Sequence, residues 1–316
     1  MRKTCQTILM LMVVLPALVA AGSPIQRNLP LLNSHYFMPF ANFPSPFMTT
    51  IFKTGIGGGV STNQIPIYWV DGRLIGQLEG KNTFVNATVM VKVRAKEWLA
   101  TWFKYEANVR IGSNTSTLLT HGVTSITGFE FGWMYRLWKS SNNLLSLTLQ
   151  INNTTVSTMN LLRFLNDVIT SPDSITTTLT QKRNPLSGGM GFRYAHAFND
   201  LWGVETYLYG SYGESFLQDE NNVWQFNMGI LGSIYLNYRY GIPVGGMLGF
   251  TVKRLTLFQK QEDDQTESIL AKIAYVGREE YNMGLEFYYV RTATPLLARD
   301  SSMRYLTISF VVTYIF

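Results

Sequence analysis

Thirteen charged side chains stand where chemistry could be done. Lys92, Arg94, Lys104, Arg110, Arg136, Arg193, Arg239, Lys253 and Lys272 are basic, and Glu106, Glu130, Glu205 and Glu286 are acidic. Each sits in a segment whose other positions are apolar, so each falls on the polar face of a two-residue repeat. Nine cations against four carboxylates are more than pairing alone uses up. Such a set can brace itself as a network of ion pairs, or it can border water and favour anionic groups. The residue types leave both readings open. Met134, Tyr207, Tyr209, Met247 and Tyr288 share that face and could line an amphipathic site or fill space.

Other chemistries find little to work with. His35, His121 and His196 are scattered, whereas a metal centre needs several ligands at coherent spacing. Cys5 is the sole cysteine, so neither a disulfide nor thiol chemistry is expected. Gly55-Ile56-Gly57-Gly58-Gly59 is glycine-rich, but no lysine and helix follow it as a phosphate loop requires. It fits a place where a sheet curves or another segment comes close. The chain carries 26 basic and 20 acidic residues, a formal charge of +6, and without Arg2 and Lys3 the balance is 24 against 20, or +4. The excess is not gathered into a block, so no nucleic-acid partner is expected. No catalytic residue, cofactor or metal is assigned.

These charges need short strands to position them. Only 15% of the 316 residues are charged, where about 25% is common in soluble domains, and there are 19 Phe, 17 Tyr, 7 Trp and 26 Gly. After residue 22 no apolar run approaches the length of a spanning helix. Twelve segments alternate instead: Met48–Ser61, Asn82–Ala95, Leu99–Ile111, His121–Trp138, Leu144–Asn153, Gly188–Phe198, Trp202–Tyr212, Val223–Arg239, Val244–Phe258, Ser268–Gly277, Tyr281–Arg291 and Met303–Phe316. Short turns and longer loops alternate between them. The expected fold is all-β: a transmembrane up-and-down antiparallel barrel of about twelve strands. Fourteen would result if Thr62–Lys81, which could turn at Asp71-Gly72, or Thr154–Ser187 hid a hairpin. Within the latter, Leu161, Leu162, Leu165, Val168 and Ile169 fall at helical spacing.

Two segments precede the barrel, which is assigned to residues 48–316. Residues 1–22 read as a signal peptide, with Arg2 and Lys3, an apolar stretch from Ile8 to Leu15, and Ala20-Ala21-Gly22. Residues 23–47 hold five prolines and four phenylalanines. Proline at that density cannot join a β ladder, yet the rings are costly to leave in water. The segment should lie against something, such as the lower lumen, or hang loose as a leader.

The last segment ties these features to a family. Leu306, Ile308, Phe310, Val312, Tyr314 and Phe316 form one face of a strand that runs to the last residue. This resembles the closing strand of bacterial outer-membrane β-barrel proteins. The resemblance implies a Gram-negative outer membrane with both termini periplasmic. It also implies contact with outer-membrane lipids, and an assembly machinery that reads Tyr314 and Phe316. Outer-membrane phospholipases share a twelve-stranded look, but their histidine and serine two apart on one strand have no counterpart here. The proline-aromatic lead-in and the helix-bearing loop are similar to those of the fatty-acid and aromatic-hydrocarbon uptake channels, whose N-terminal hatch plugs the lumen. The best-known of those channels have fourteen strands. The expected function is a porin-like passive channel for small amphipathic or weakly anionic solutes. The rivals are a non-conducting structural or surface-interaction barrel and, more remotely, a lipid-active enzyme.

Overall fold

The computed structural model describes residues 29–68, 73–111, 122–159, 180–214, 222–255, 265–293 and 302–316. The expected signal peptide, the Asp71-Gly72 turn, His121 and the helix over Leu161–Ile169 lie outside the described residues.

Twelve antiparallel strands close into a barrel. In chain order they are β3 (Ile51–Tyr68), β4 (Leu74–Lys96), β5 (Leu99–Ile111), β6 (Gly122–Lys139), β7 (Asn143–Met159), β9 (Leu186–Ala197), β10 (Trp202–Gly213), β11 (Val223–Tyr235), β12 (Val244–Leu255), β13 (Gln265–Tyr275), β14 (Tyr281–Ala293) and β15 (Ser302–Ile315). Every strand pairs with its chain neighbour, and β15 pairs with β3 to complete the ring. Closure leaves no open edge, which lipid would not tolerate.

β8 (Thr180–Arg183) adds no further stave. It pairs with β7 at Val156–Met159, directly above the stretch that β9 covers. Asn184 and Pro185 break one strand into two pieces, because proline has no N–H to donate to the ladder. The Pro185 carbonyl still accepts from the Thr154 N–H at 3.1 Å, so the wall stays closed through the break.

Alternation sorts the side chains as expected. On β15, Leu306, Ile308, Phe310 and Tyr314 are exposed, while Thr307, Val311, Thr313 and Ile315 are buried. Large apolar side chains such as Ile56, Met190, Leu208, Leu248 and Ile273 face outward all round the barrel. That much bare apolar surface fits lipid rather than water. Trp98, Trp138, Phe198, Trp202, Tyr238 and Tyr240 are exposed around the rim that carries the short turns.

Several boundaries move. β3 and β4 extend through the expected loop Thr62–Lys81 and stay paired to Tyr68 and Leu74. Among the described residues β15 pairs with β3 as far as Gln64, and β5 pairs with β4 as far as Thr83. β11 stops at Tyr235, earlier than Arg239. The chain then makes one helical turn, α1 (Asn237–Tyr240), closed by Gly241 at φ 65°. That left-handed position suits glycine.

Candidate functional site

Residues 29–48 lie inside the barrel at the short-turn end. β1 (Leu31–Leu32) and β2 (His35–Tyr36) form a minimal hairpin whose two central residues, Asn33 and Ser34, have φ of 46° and 63°. Two positive φ values mark the primed turns that suit tight hairpins, and asparagine tolerates them better than most residues. The turn is docked: the Asn33 N–H donates to the Ser141 carbonyl at 2.9 Å.

Three apolar clusters fill the space between this segment and the wall. Tyr36, Met38, Phe40 and Phe43 pack on Ile51, Leu231, Leu270 and Ile315, among others. Leu32, Phe37 and Phe47 pack on Leu144, Ala195 and Ala197. Met48 packs on Ala100, Trp102 and Met134. The wall gives way where the plug needs room. A Cβ on Gly203 would come within 2.6 Å of His35 and 2.7 Å of Phe37, and one on Gly245 within 2.6 Å of Met38 Sδ.

His35 is fully buried and explains why the hairpin is held so closely. The Asp200 carbonyl, 3.2 Å from Nδ1, can only accept, so Nδ1 carries the proton. Nε2 then accepts from the Ser233 hydroxyl at 2.7 Å. Burial pulls the imidazole down to about 4, against which its hydrogen bond to the Asp200 backbone raises it.

The inward charges grip the plug from above. Lys272 Nζ donates to the Pro39 carbonyl at 2.6 Å and to Glu286 at 3.0 Å. Glu286 also accepts from the Ala41 N–H at 3.0 Å. Lys92 donates to the Phe47 carbonyl at 2.9 Å, and Ser45 donates to Glu205 at 2.8 Å. Arg193 reaches Gln150 at 3.2 Å and the Ser45 carbonyl at 3.5 Å, and stacks 4.6 Å over the Trp102 ring. Trp102 Nε1 donates to Glu130 at 2.6 Å, and Lys104 pairs with Glu106 at 2.6 Å and contacts Asn42. These groups make backbone and side-chain hydrogen bonds that the prolines of the plug could not supply themselves.

Above the plug the lumen opens into a cavity of about 360 Å³. Its floor is Pro39–Ser45, and its walls carry Lys53, Lys92, Lys104, Arg193 and Lys253 against Glu106, Glu130 and Glu214. A smaller space of about 140 Å³ runs beside it along β3, β4, β14 and β15, and Lys53 borders both.

Nine of the thirteen expected residues converge here or on the plug: Lys92, Lys104, Glu106, Glu130, Arg193, Glu205, Lys253, Lys272 and Glu286. Four do not. Arg239 sits on α1 at the rim, half-exposed and paired with Asp200 at 3.1 Å, because the strand ends before it. Arg94 and Arg136 flank the exposed Glu97 at 3.7 and 3.4 Å, at the β4–β5 turn. Arg110 lies next to the last residue of β5, away from the plug. Met134, Tyr207 and Met247 are buried inward as expected.

Sequence reasoning missed Lys53, His35, Ser45 and Trp102. Lys53 shares the inner face of β3 with Ile51 and Gly55, neighbours that do not mark that face as polar. His196 lies near the short-turn rim, with Nδ1 2.7 Å from Asn143 Oδ1. Among the described residues no three His, Cys, Asp or Glu side chains gather as a metal site would require.

No family model and no curated protein matches the chain. Solved structures match at the level of fold. An outer membrane channel from Pseudomonas putida F1 aligns with a TM-score of 0.50 at 9% identity, over 89% of this chain and 100% of that one. A FadL homologue from Pseudomonas aeruginosa aligns at 0.45 and 9% identity, over 87% and 93%. The transport unit of the autotransporter AIDA-I from Escherichia coli aligns at 0.47 and 12% identity, over 90% and 95%.

Proposed function

We propose that this barrel is an outer-membrane channel for small amphipathic or weakly anionic solutes, restricted by its own N-terminal segment. The observation that carries this reading is the half-filled lumen. A cavity of about 360 Å³ with surplus basic side chains stands above a plug that is hydrogen-bonded through its backbone rather than woven into the sheet. A segment held this way can shift without unravelling a strand. On this reading residues 1–22 are the export signal, the short turns and both termini face the periplasm, and the long loops meet the solute first.

The aligned Pseudomonas putida structure is an outer membrane channel, which suits the proposal while leaving the solute to be found. The rival reading of a non-conducting barrel is favoured by the three apolar clusters that pack the lower lumen. Liposome swelling and single-channel recording on the mature chain and on a version lacking residues 23–47 separate the two. The channel reading expects solute flux that rises when the segment is removed. It fails if neither form conducts and neither binds fatty acids, aromatics or small anions.

Assembly makes a further demand on the C-terminal residues. Phe316 lies just past β15, and its N–H donates to the Thr50 carbonyl at 3.0 Å. Tyr314 faces outward. We infer that the outer-membrane assembly machinery recognises this end. Deleting Phe316 should lower the folded yield in outer-membrane fractions well beyond what one lost side chain costs, and an unchanged yield would refute the role.

A further inference from the structure

Lys53 stands beside the plug with its ammonium group left without a hydrogen bond. It is almost fully buried, yet its Nζ has no hydrogen-bond partner. Glu286 lies 3.6 Å away, too far for a good hydrogen bond, and already takes Lys272 at 3.0 Å and the Ala41 N–H. One carboxylate thus serves two buried lysines, in a place where an unpaired charge is costly.

The place is built to receive something. Lys53 borders both the 360 Å³ cavity and the 140 Å³ space beside it. Lys253 lines the larger cavity too. Around them stand the rings of Phe43, Trp102, Tyr207, Tyr209 and Tyr288. Phe43 and Tyr207 already meet edge to face at 5.0 Å. Aromatic rings beside an ammonium group without a hydrogen bond suit a flat apolar molecule with one negative end. An aliphatic chain or a bare inorganic anion would leave the rings without a stacking partner.

We propose that the upper lumen holds a binding site for a small aromatic carboxylate, with Lys53 donating to its carboxylate group. The proposal rests on the channel reading only for the ligand's route to the site. Removing Lys53 is structurally tolerable, because Glu286 keeps Lys272 and the Ala41 N–H.

The test uses the mature chain in detergent micelles, with benzoate as probe and benzamide as its neutral counterpart of the same shape. Isothermal titration should show saturable benzoate binding at least about tenfold tighter than benzamide, as a charge-assisted hydrogen bond would give. Lys53→Met should erase that difference and leave benzamide binding unchanged, and Lys53→Gln should do the same. Acetate should bind more weakly than benzoate; equal affinity would reduce the site to a simple anion hole and overturn the aromatic assignment. A benzoate preference that survives both substitutions overturns the role of Lys53. Should neither variant show heat-modifiable migration, the unaltered chain still decides: equal affinity for benzoate and benzamide, or no binding of either, refutes the site. Binding in micelles without flux across liposomes supports the site while removing the channel. Flux without preference for benzoate does the reverse.

Discussion

The two halves of the lumen are built on opposite terms. In the lower half the inward positions include Leu231, Leu270, Ala195 and Ala197, and they pack against phenylalanines of the plug. In the upper half they are Lys, Glu, Gln, Asn and Tyr, and they meet a cavity. The same barrel wall, with the same two-residue repeat, is a protein core at one level and a solvated surface at the next. Between them the charged ring of Lys92, Arg193, Glu205, Lys272 and Glu286 holds the plug's carbonyls, amides and Ser45 hydroxyl. If the comparison is right, substitutions below that ring should cost docking energy, and those above it should cost almost none.

The largest effect is expected at Phe37, which is fully buried, 5.1 Å from Phe47 and 4.6 Å from His35 between ring centres. Phe37→Ala should weaken plug docking by about 3–5 kcal/mol, the usual cost of truncating a buried aromatic. Limited proteolysis should then cut within residues 29–48 while the barrel keeps its heat-modifiable migration. A segment that stays protected would break the comparison.

Acid should act on the same hairpin through His35. Its value of about 4 in the docked state lies below its ordinary 6.5, so the released segment binds more protons between those limits. Docking is therefore full above pH 6.5 and weakens as pH falls toward 4, by up to about 3 kcal/mol. Amide hydrogen exchange in residues 29–48, followed from pH 7 to pH 4, should show protection falling in that window. Opening must be separated from the intrinsic pH dependence of exchange, and His35→Gln should flatten the remainder.

A smaller loss is expected at Gly203, where even a methyl group would press on His35 and Phe37. Gly203→Ala should cost about 1–3 kcal/mol, as overpacking does. Gly203→Val should cost more, in the same proteolysis assay. The smallest effect belongs to the upper half. Tyr209 borders the cavity and accepts from Asn152 at 3.3 Å. Tyr209→Phe should change stability by less than about 1 kcal/mol, because water can take over the freed amide. A larger loss by denaturant titration would mean that the upper lumen, too, is a core.

Much of this was legible in the sequence because a strand's period is fixed. Lys92, Lys104, Arg193 and Lys272 had to share a face once their neighbours were apolar. Lys53 was hidden by what surrounds it: the next inward positions are Gly55, Gly57 and Gly59, which carry no polarity to mark a face. The bare track lets Asn86 and Ser309 hydrogen-bond across β3 at 3.0 Å, a contact that a Cβ on Gly57 would obstruct. Arg239 misled for the converse reason. Four residues of α1 continue an alternating pattern, and only Gly241 signals that the backbone has left the strand. Prolines said that residues 23–47 would not enter the sheet, but docking depends on Leu231, Ala195 and Gly203, far away in the chain. No local pattern records such a match.

The outward charges of β4 locate the bilayer. Lys81 is exposed on the outer face of β4, one residue from the inward, buried Asn82. An ammonium group on that face is costly within hydrocarbon. The hydrocarbon must therefore stop below Lys81. At the opposite end the exposed Lys96 and Glu97 mark where outward charge returns. Between those limits the outward apolar positions Val85, Ala87, Val89, Val91 and Val93 span 9 residues, within the about 9–11 that a tilted strand needs to cross the apolar layer. The protein thus carries its own depth gauge: β4 is immersed along this stretch, and the ribbon above it stands in water.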